Sequence, residues 1–163
     1  MASLLIVYYT RSGNTEKMAH IIAEGAREVS EVEVTLKSVA DTSIDDLLAA
    51  DGVIMGSPVY YGTMAAELKG LLDESVKYQG KLAGKVGGGF ASSGGLAGGN
   101  ETTVVDIVKA LMIHGMVVQG MAQGDHYGPV AVGAPDERSR GECLRYGRQT
   151  AELVKRMAAG GSR

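Results

Sequence analysis

Short apolar runs rich in β-branched residues alternate with longer segments of helical periodicity along most of the chain. The first run extends from Leu4 to Tyr9, and apolar residues recur at helical spacing in the segment from Met18 to Val29 that follows it. Four more strands are predicted by apolar runs at residues 32–39, 53–56, 85–91 and 116–119. Such an alternation is typical of an α/β fold, in which right-handed crossovers build a parallel sheet covered by helices on both faces.

The remaining helices are predicted between the later strands. They are expected from Ser43 to Ala49, from near Met64 through Leu68, Leu71, Leu72 and Val76, from a cap at Asn100 or Thr102, and from Arg138 to Met157. No linker or internal repeat interrupts this pattern, and a chain of 163 residues is in the usual range for one compact domain. We therefore expect a single domain covering residues 1–163.

The loop after the first strand has the composition of an anion site. Ligands of open parallel sheets bind beyond the carboxyl ends of the strands. This loop leads into a helix, and its residues are Thr10, Arg11, Ser12, Gly13, Asn14 and Thr15. Hydroxyls and an amide at a helix N-terminus favour a phosphate, although Thr10 and Ser12 could equally serve only as helix caps. The spacings of a Walker loop and of a dinucleotide-binding loop are both absent.

The loops after the third and fourth strands are expected to complete a site for a flat ring. After the third strand come Pro58, Val59, Tyr60, Tyr61 and Gly62, in which two adjacent tyrosines are available to pack on a heteroaromatic group. After the fourth come Ser92, Ser93, Gly94, Gly95 and Leu96, small enough for backbone N–H groups to contact a ligand. The alternatives are an ordinary turn with one tyrosine on the core, and a mobile glycine loop.

Four segments together resemble the WrbA-type NAD(P)H:quinone oxidoreductases, a flavodoxin-like family that binds flavin mononucleotide (FMN). The segments are residues 8–15, 56–73, 90–102 and 114–116, and the similarity extends over nearly the whole chain. The resemblance implies a flavodoxin-like, doubly wound, five-stranded parallel sheet with strand order 2-1-3-4-5. It also implies FMN as a non-covalent cofactor and NAD(P)H as a co-substrate.

The resemblance also assigns roles to residues. Residues 10–15 would bind the FMN phosphate, and residues 92–96 would contact the polar edge of the isoalloxazine ring. The ring would be lined by Val59, Tyr60 and Tyr61, with Pro58 and Gly62 as further cofactor-binding residues. His114 would approach the ring from the start of the fifth strand, as a binding residue and a candidate catalytic residue. Without the resemblance, a histidine before Gly115 is typical of a helix C-terminus. His114, Tyr127 or a water molecule would donate a hydrogen bond to the quinone oxygen.

The chain departs from the family pattern in three places. The segment from Val39 to Asp51 is shorter than the family's insertion, which is linked to tetramer assembly, so a homodimer and a homotetramer both stay open. No tryptophan is present for the quinone side of the site, where Lys77 and Tyr78 lie instead. Ser12 replaces a tyrosine of the family's phosphate loop, as in flavodoxins.

Charge in the two later loops bears on whether the chain is an enzyme or an electron carrier. Residues 57–63 and 91–100 contain no Asp or Glu. A reduced flavin carries negative charge, so the lack of nearby carboxylates favours two-electron chemistry. The sequence therefore predicts an FMN-dependent oxidoreductase that transfers electrons from NAD(P)H to quinones, with a flavodoxin-type electron-transfer protein as the alternative.

The composition of the chain argues against several other functions. The formal net charge is −3, which disfavours binding to nucleic acid. One cysteine and three scattered histidines predict neither a disulfide framework nor a metal site. The apolar start of the chain is far shorter than the roughly 20 residues of a membrane span, so we expect a cytoplasmic protein that does not bind membranes.

Overall fold

The computed structural model describes residues 1–160, which form a β-sheet flanked by helices. The strands are β1 (Ala2–Tyr8), β2 (Val32–Ser38), β3 (Gly52–Tyr60), β4 (Thr63–Met64), β5 (Val86–Ser93), β6 (Val117–Val118) and β7 (Val130–Val132). The α-helices are α1 (Asn14–Arg27), α2 (Ile44–Ala49), α3 (Ala66–Glu74), α4 (Asn100–Ile113) and α5 (Glu137–Gly160). Short 3-10 helices cover Val39–Asp41 and Ser75–Tyr78.

The main path of the sheet runs β2-β1-β3-β5-β6, and every neighbouring pair along it is parallel. Because β5 and β6 are the fourth and fifth predicted strands, this path confirms the predicted order 2-1-3-4-5. Two short strands lie outside it. β4 folds back antiparallel on the end of β3, and β7 pairs in parallel with the end of β5.

The fifth position of the sheet is shared by two segments. Val117 pairs with Val86 at the beginning of β5, whereas Val130 pairs with Ala91 near its end. Residues 119–129 connect the two segments. The predicted strand at residues 116–119 is thus reduced to two residues, and its missing half is supplied by a segment that follows later in the chain.

Two hydrophobic cores cover the two faces of the sheet. Leu4 and Ile6 pack with residues of α1 and α5, whereas Leu5 and Val7 pack with residues of α2, α3 and α4. Successive side chains of a strand point to opposite faces, so an uninterrupted apolar run such as β1 is what a sheet buried on both sides requires. The prediction of helices on both faces is confirmed.

Three helix starts differ from those predicted. Helix α4 is preceded by Gly99, which has a φ of 88° and gives no side-chain cap, so neither Asn100 nor Thr102 caps it. Helix α3 begins at Ala66, because Met64 pairs with Val59 in the β3–β4 hairpin. The last helix begins at Glu137 and continues to Gly160, a little beyond both predicted ends.

The glycines of β5 make room for neighbours on both faces. A Cβ atom at Gly88 would lie 2.3 Å from the hydroxyl oxygen of Tyr146, and one at Gly89 would lie 3.2 Å from Ile107. Gly89 N–H donates a hydrogen bond of 3.0 Å to the Tyr146 hydroxyl. The strand therefore tolerates glycine because α4 and α5 approach its backbone closely.

We expect the substitution Tyr146→Phe to lower the free energy of unfolding by about 1–3 kcal/mol at pH 7, because the buried Gly89 N–H loses its acceptor. Burial raises the pKa of Tyr146 to about 12, above the 10.0 of an exposed tyrosine. The folded state therefore loses stability as pH rises from 10 towards 12, and the variant should lose less over that range. Urea unfolding at several pH values measures both effects. Tyr78→Phe, at a more exposed tyrosine, is the control and should leave the free energy of unfolding at pH 7 unchanged.

Candidate functional site

The three loops predicted to form a site lie side by side at one edge of the sheet. Tyr8 pairs with Gly56, and Pro58 pairs with Ser92, so the carboxyl ends of β1, β3 and β5 adjoin one another. We name residues 9–13 the first loop, residues 57–64 the tyrosine hairpin and residues 93–99 the glycine loop. This is the edge at which parallel sheets bind their ligands.

The first loop leads into a helix end that its own side chains do not cap. Gly13 precedes α1 with a φ of 91°, and no side chain hydrogen-bonds to the first turn as a cap. Thr10 accepts a hydrogen bond of 2.9 Å from Gly13 N–H, so its hydroxyl shapes the loop. The first N–H groups of a helix have no acceptor within the helix. They are therefore available to an anion, and the alternative that Thr10 and Ser12 serve as helix caps is wrong.

A buried contact joins the start of α1 to the end of β5. The Thr15 and Ser92 hydroxyl oxygens lie 2.8 Å apart, and both residues are almost completely buried. Within the glycine loop, Ser93 donates to Gly95 O at 2.9 Å and accepts from the Asn100 amide at 3.0 Å. These bonds fix the base of the loop, while Leu96 at its tip is 90% exposed.

The tyrosine hairpin turns through two residues with positive φ. Tyr61 has a φ of 48° and Gly62 one of 84°, between the paired residues Tyr60 and Thr63. Such a turn favours Asn-Gly, and an aromatic residue there is strained. Tyr61 is also fully exposed. Since it gains nothing from packing, its strained backbone is a sign of a functional role.

We expect Tyr61→Asn to raise the free energy of unfolding by about 0.5–1 kcal/mol, because asparagine adopts positive φ at lower cost. Tyr127→Asn is the matched control, since Tyr127 is half-exposed and does not have a positive φ. Chemical unfolding of both variants measures the difference. Equal stability changes in the two would contradict the assignment of strain to Tyr61.

A cation and two aromatic rings connect the first loop with the tyrosine hairpin. The Arg11 guanidinium carbon lies 4.8 Å from the centroid of the Tyr60 ring. The Tyr9 ring contacts the same tyrosine edge to face, with centroids 6.3 Å apart. The Glu67 carboxylate beside Tyr9 raises the pKa of that phenol, and the Arg11 guanidinium acts in the opposite direction. Arg11, predicted as a phosphate-loop residue, thus also contacts the hairpin.

His114 lies at the opposite edge of the sheet from the three loops. It follows α4 directly, and β6 then pairs with the first residues of β5, whereas the loops follow the last. A strand rises roughly 3.3 Å per residue, so the two ends of β5 are about 20 Å apart. The prediction that His114 contacts the ring is therefore wrong for a site formed by a single copy of this chain.

The contacts of His114 indicate that this residue has a structural role. The residue is 7% exposed, and its Nε2 lies 2.7 Å from the Ser75 hydroxyl. That hydroxyl donates to Leu72 O, so it accepts from His114. The bond fastens the end of α4 to the 3-10 helix that follows α3, which agrees with the reading of His114 as a helix C-terminal residue.

Sequence reasoning gave no role to Asp125, which orders the segment between β6 and β7. One carboxylate oxygen accepts from Val130 N–H at 2.9 Å and the other from Arg138 at 2.8 Å. The segment holds Tyr127, which lines a small cavity of about 90 Å³ with Glu101 and His126. These partners are far apart in the sequence, so no local motif indicates them.

No group of three or more His, Cys, Asp or Glu side chains among residues 1–160 could hold a metal ion. None of the helices in the described range is both long and apolar enough to cross a bilayer.

Comparison with known proteins identifies relatives of the whole fold. The family model described as NADPH-dependent FMN reductase matches residues 3–124. A flavodoxin from Aquifex aeolicus (strain VF5) is 40% identical over 162 residues, covering 94% of this chain and 88% of that protein.

Two solved structures have the same architecture. A flavodoxin, WrbA-like protein from Agrobacterium tumefaciens superposes with a TM-score of 0.81 at 27% identity, covering 96% of this chain and 99% of that one. Oxidised flavodoxin 2 from Bacillus cereus gives a TM-score of 0.77 at 28% identity, covering 93% and 99%. The flavodoxin-like fold predicted from the sequence is confirmed.

Proposed function

We propose, from the premise that this chain belongs to the NADPH-dependent FMN reductase family, that it is a WrbA-type enzyme transferring two electrons from NAD(P)H to quinones. FMN, bound non-covalently between the three loops, supplies the redox chemistry. The observation that carries the proposal is the edge of the sheet where an uncapped helix N-terminus adjoins an aromatic hairpin and a glycine loop.

The donor set of this edge suits FMN. The phosphate would accept hydrogen bonds from the free N–H groups of α1 and from the hydroxyl and amide groups of Ser12 and Asn14. Tyr60 and Tyr61 would contact the ring. The glycine loop would approach the polar edge of the ring with its backbone, because its residues carry little side-chain bulk.

Electrostatics support two-electron chemistry in this site. The tyrosine hairpin and the glycine loop contain no carboxylate, and Arg11 places a positive charge against Tyr60. A negative charge that develops on a bound ring is therefore not opposed by these loops. The protein would position the reactants and supply an electrostatic field around them. An open site would allow NAD(P)H to react and leave before the quinone binds.

A second candidate is an electron-transfer protein without its own NAD(P)H activity. The observation that favours it is the 40% identity to a protein named flavodoxin over 94% of this chain. A carrier exchanges electrons with partner proteins and has no need to bind a nicotinamide or a quinone.

Steady-state oxidation of NADH and NADPH with benzoquinone distinguishes the two candidates. The FMN-loaded protein is compared with free FMN at the same concentration and with the flavin-free protein. The reductase predicts saturable turnover above both controls, with the parallel double-reciprocal plots of a ping-pong reaction. Turnover no greater than that of free FMN, with flavin bound, would contradict the enzyme and support the carrier.

A further inference from the structure

Three contacts connect the first loop, the tyrosine hairpin and the glycine loop with one another and with the elements that lead into or out of them. Helix α1, which follows the first loop, meets the end of β5 through Thr15 and Ser92, whose hydroxyl oxygens are 2.8 Å apart. The glycine loop meets the tyrosine hairpin at Gly99, where a Cβ atom would lie 3.4 Å from Val59 and 3.5 Å from the Gly62 Cα. The third pair, the first loop and the hairpin, meets through the Arg11–Tyr60 contact.

The Arg11–Tyr60 contact differs from the other two in its exposure. The Thr15–Ser92 pair is buried, whereas Arg11 is exposed and Tyr60 is half-buried. A planar guanidinium on a tyrosine face combines charge attraction with stacking, which lysine does not reproduce. It is thus the contact best placed to open and close without disturbing the sheet.

We propose that the Arg11–Tyr60 contact slows the release of bound FMN by holding the tyrosine hairpin against the first loop. This inference rests on the proposed function, and it makes Arg11 a positioning residue that acts through Tyr60.

The remaining neighbours of Tyr60 strengthen the contact. Tyr9 packs edge to face on Tyr60 at 6.3 Å, so the ring is held from two directions. At the far end of the hairpin, Thr63 donates a hydrogen bond of 2.8 Å to Asp106 of α4. The hairpin is thus anchored to α4 on one side, and Arg11 and Tyr9 restrain it on the other.

The rate of FMN release tests the proposal. FMN-loaded protein is diluted, and free flavin is followed by fluorescence for the wild type, Arg11→Gln and Arg11→Lys. We expect both variants to release FMN roughly threefold to thirtyfold faster, the range that corresponds to a cation–π contact. Lys17→Gln removes one positive charge from an exposed position in α1 and controls for the general loss of charge.

A double-mutant cycle separates the contact from other effects of Arg11. The effect of Arg11→Gln should persist in a Tyr60→Phe background, which retains the ring, and vanish in a Tyr60→Leu background. Equal release rates for Arg11→Gln and Lys17→Gln would overturn the inference while leaving FMN binding intact. A wild-type protein that does not retain FMN at all would overturn both the inference and the proposed function.

Discussion

Combined replacement of Ser12 and Asn14 by alanine is expected to weaken FMN binding by at least about 100-fold. A hydrogen bond to a charged group contributes roughly 1.5–3 kcal/mol, and each side chain would donate one to the phosphate. Both residues lie at the uncapped start of α1, and Ser12 is exposed. The loss should therefore be one of affinity, with little change in the free energy of unfolding.

Calorimetric titration of FMN into the flavin-free variant measures this effect. Ser30→Ala is the control, because Ser30 is an exposed serine beyond the other end of α1. The control should bind FMN as the wild type does. An unchanged affinity in the double variant would show that the phosphate does not bind at this helix end.

The substitution Gly147→Ala is expected to lower the free energy of unfolding by about 3 kcal/mol or more. A Cβ atom at Gly147 would lie 2.0 Å from Ile22 O and 3.0 Å from Ala26 N. These are backbone atoms of α1, so a rotamer change cannot relieve the overlap and the two helices must separate. Gly25 of α1 is placed in the same way, with its Cβ position 2.1 Å from Leu144 O of α5.

Gly141 of α5 provides a matched control in the same helix. No atom lies within 4 Å of its Cβ position. Gly141→Ala should therefore raise the free energy of unfolding by about 0.5–1 kcal/mol, because alanine favours the helix. Urea unfolding of both variants gives the comparison, and similar values for the two would contradict the close approach of α1 and α5.

The centre of the parallel sheet was predictable because β1, β2 and β3 each appear in the sequence as an apolar run. In β1, four successive residues from Leu4 to Val7 are buried, two on each face, and the sequence shows this as an uninterrupted apolar run. The glycines of β5 weaken that signal, and their reason lies in Tyr146 and Ile107, which are distant in sequence. The division of the fifth position between β6 and β7 has no local signal, since neither segment exceeds three residues.

The loops that form the candidate site could be predicted from the sequence, whereas most of the side-chain contacts between them could not. The rule that ligands bind beyond the carboxyl ends of strands selects the first loop, the tyrosine hairpin and the glycine loop from the strand order alone. The placement of His114 was wrong because the resemblance puts it at the start of the fifth strand, and the register of β6 on β5 places that start at the edge opposite the three loops. The Arg11–Tyr60 contact depends on side-chain directions that no sequence pattern gives.

Titration of the flavin-free protein with FMN and, separately, with riboflavin tests the central claim most directly. The two ligands share the ring and differ in the phosphate. Binding of FMN at one site per chain, with riboflavin at least about 100-fold weaker, is the result expected if α1 binds the phosphate and Tyr60 and Tyr61 contact the ring. No uptake of FMN, or equal affinity for the two ligands, would contradict the account.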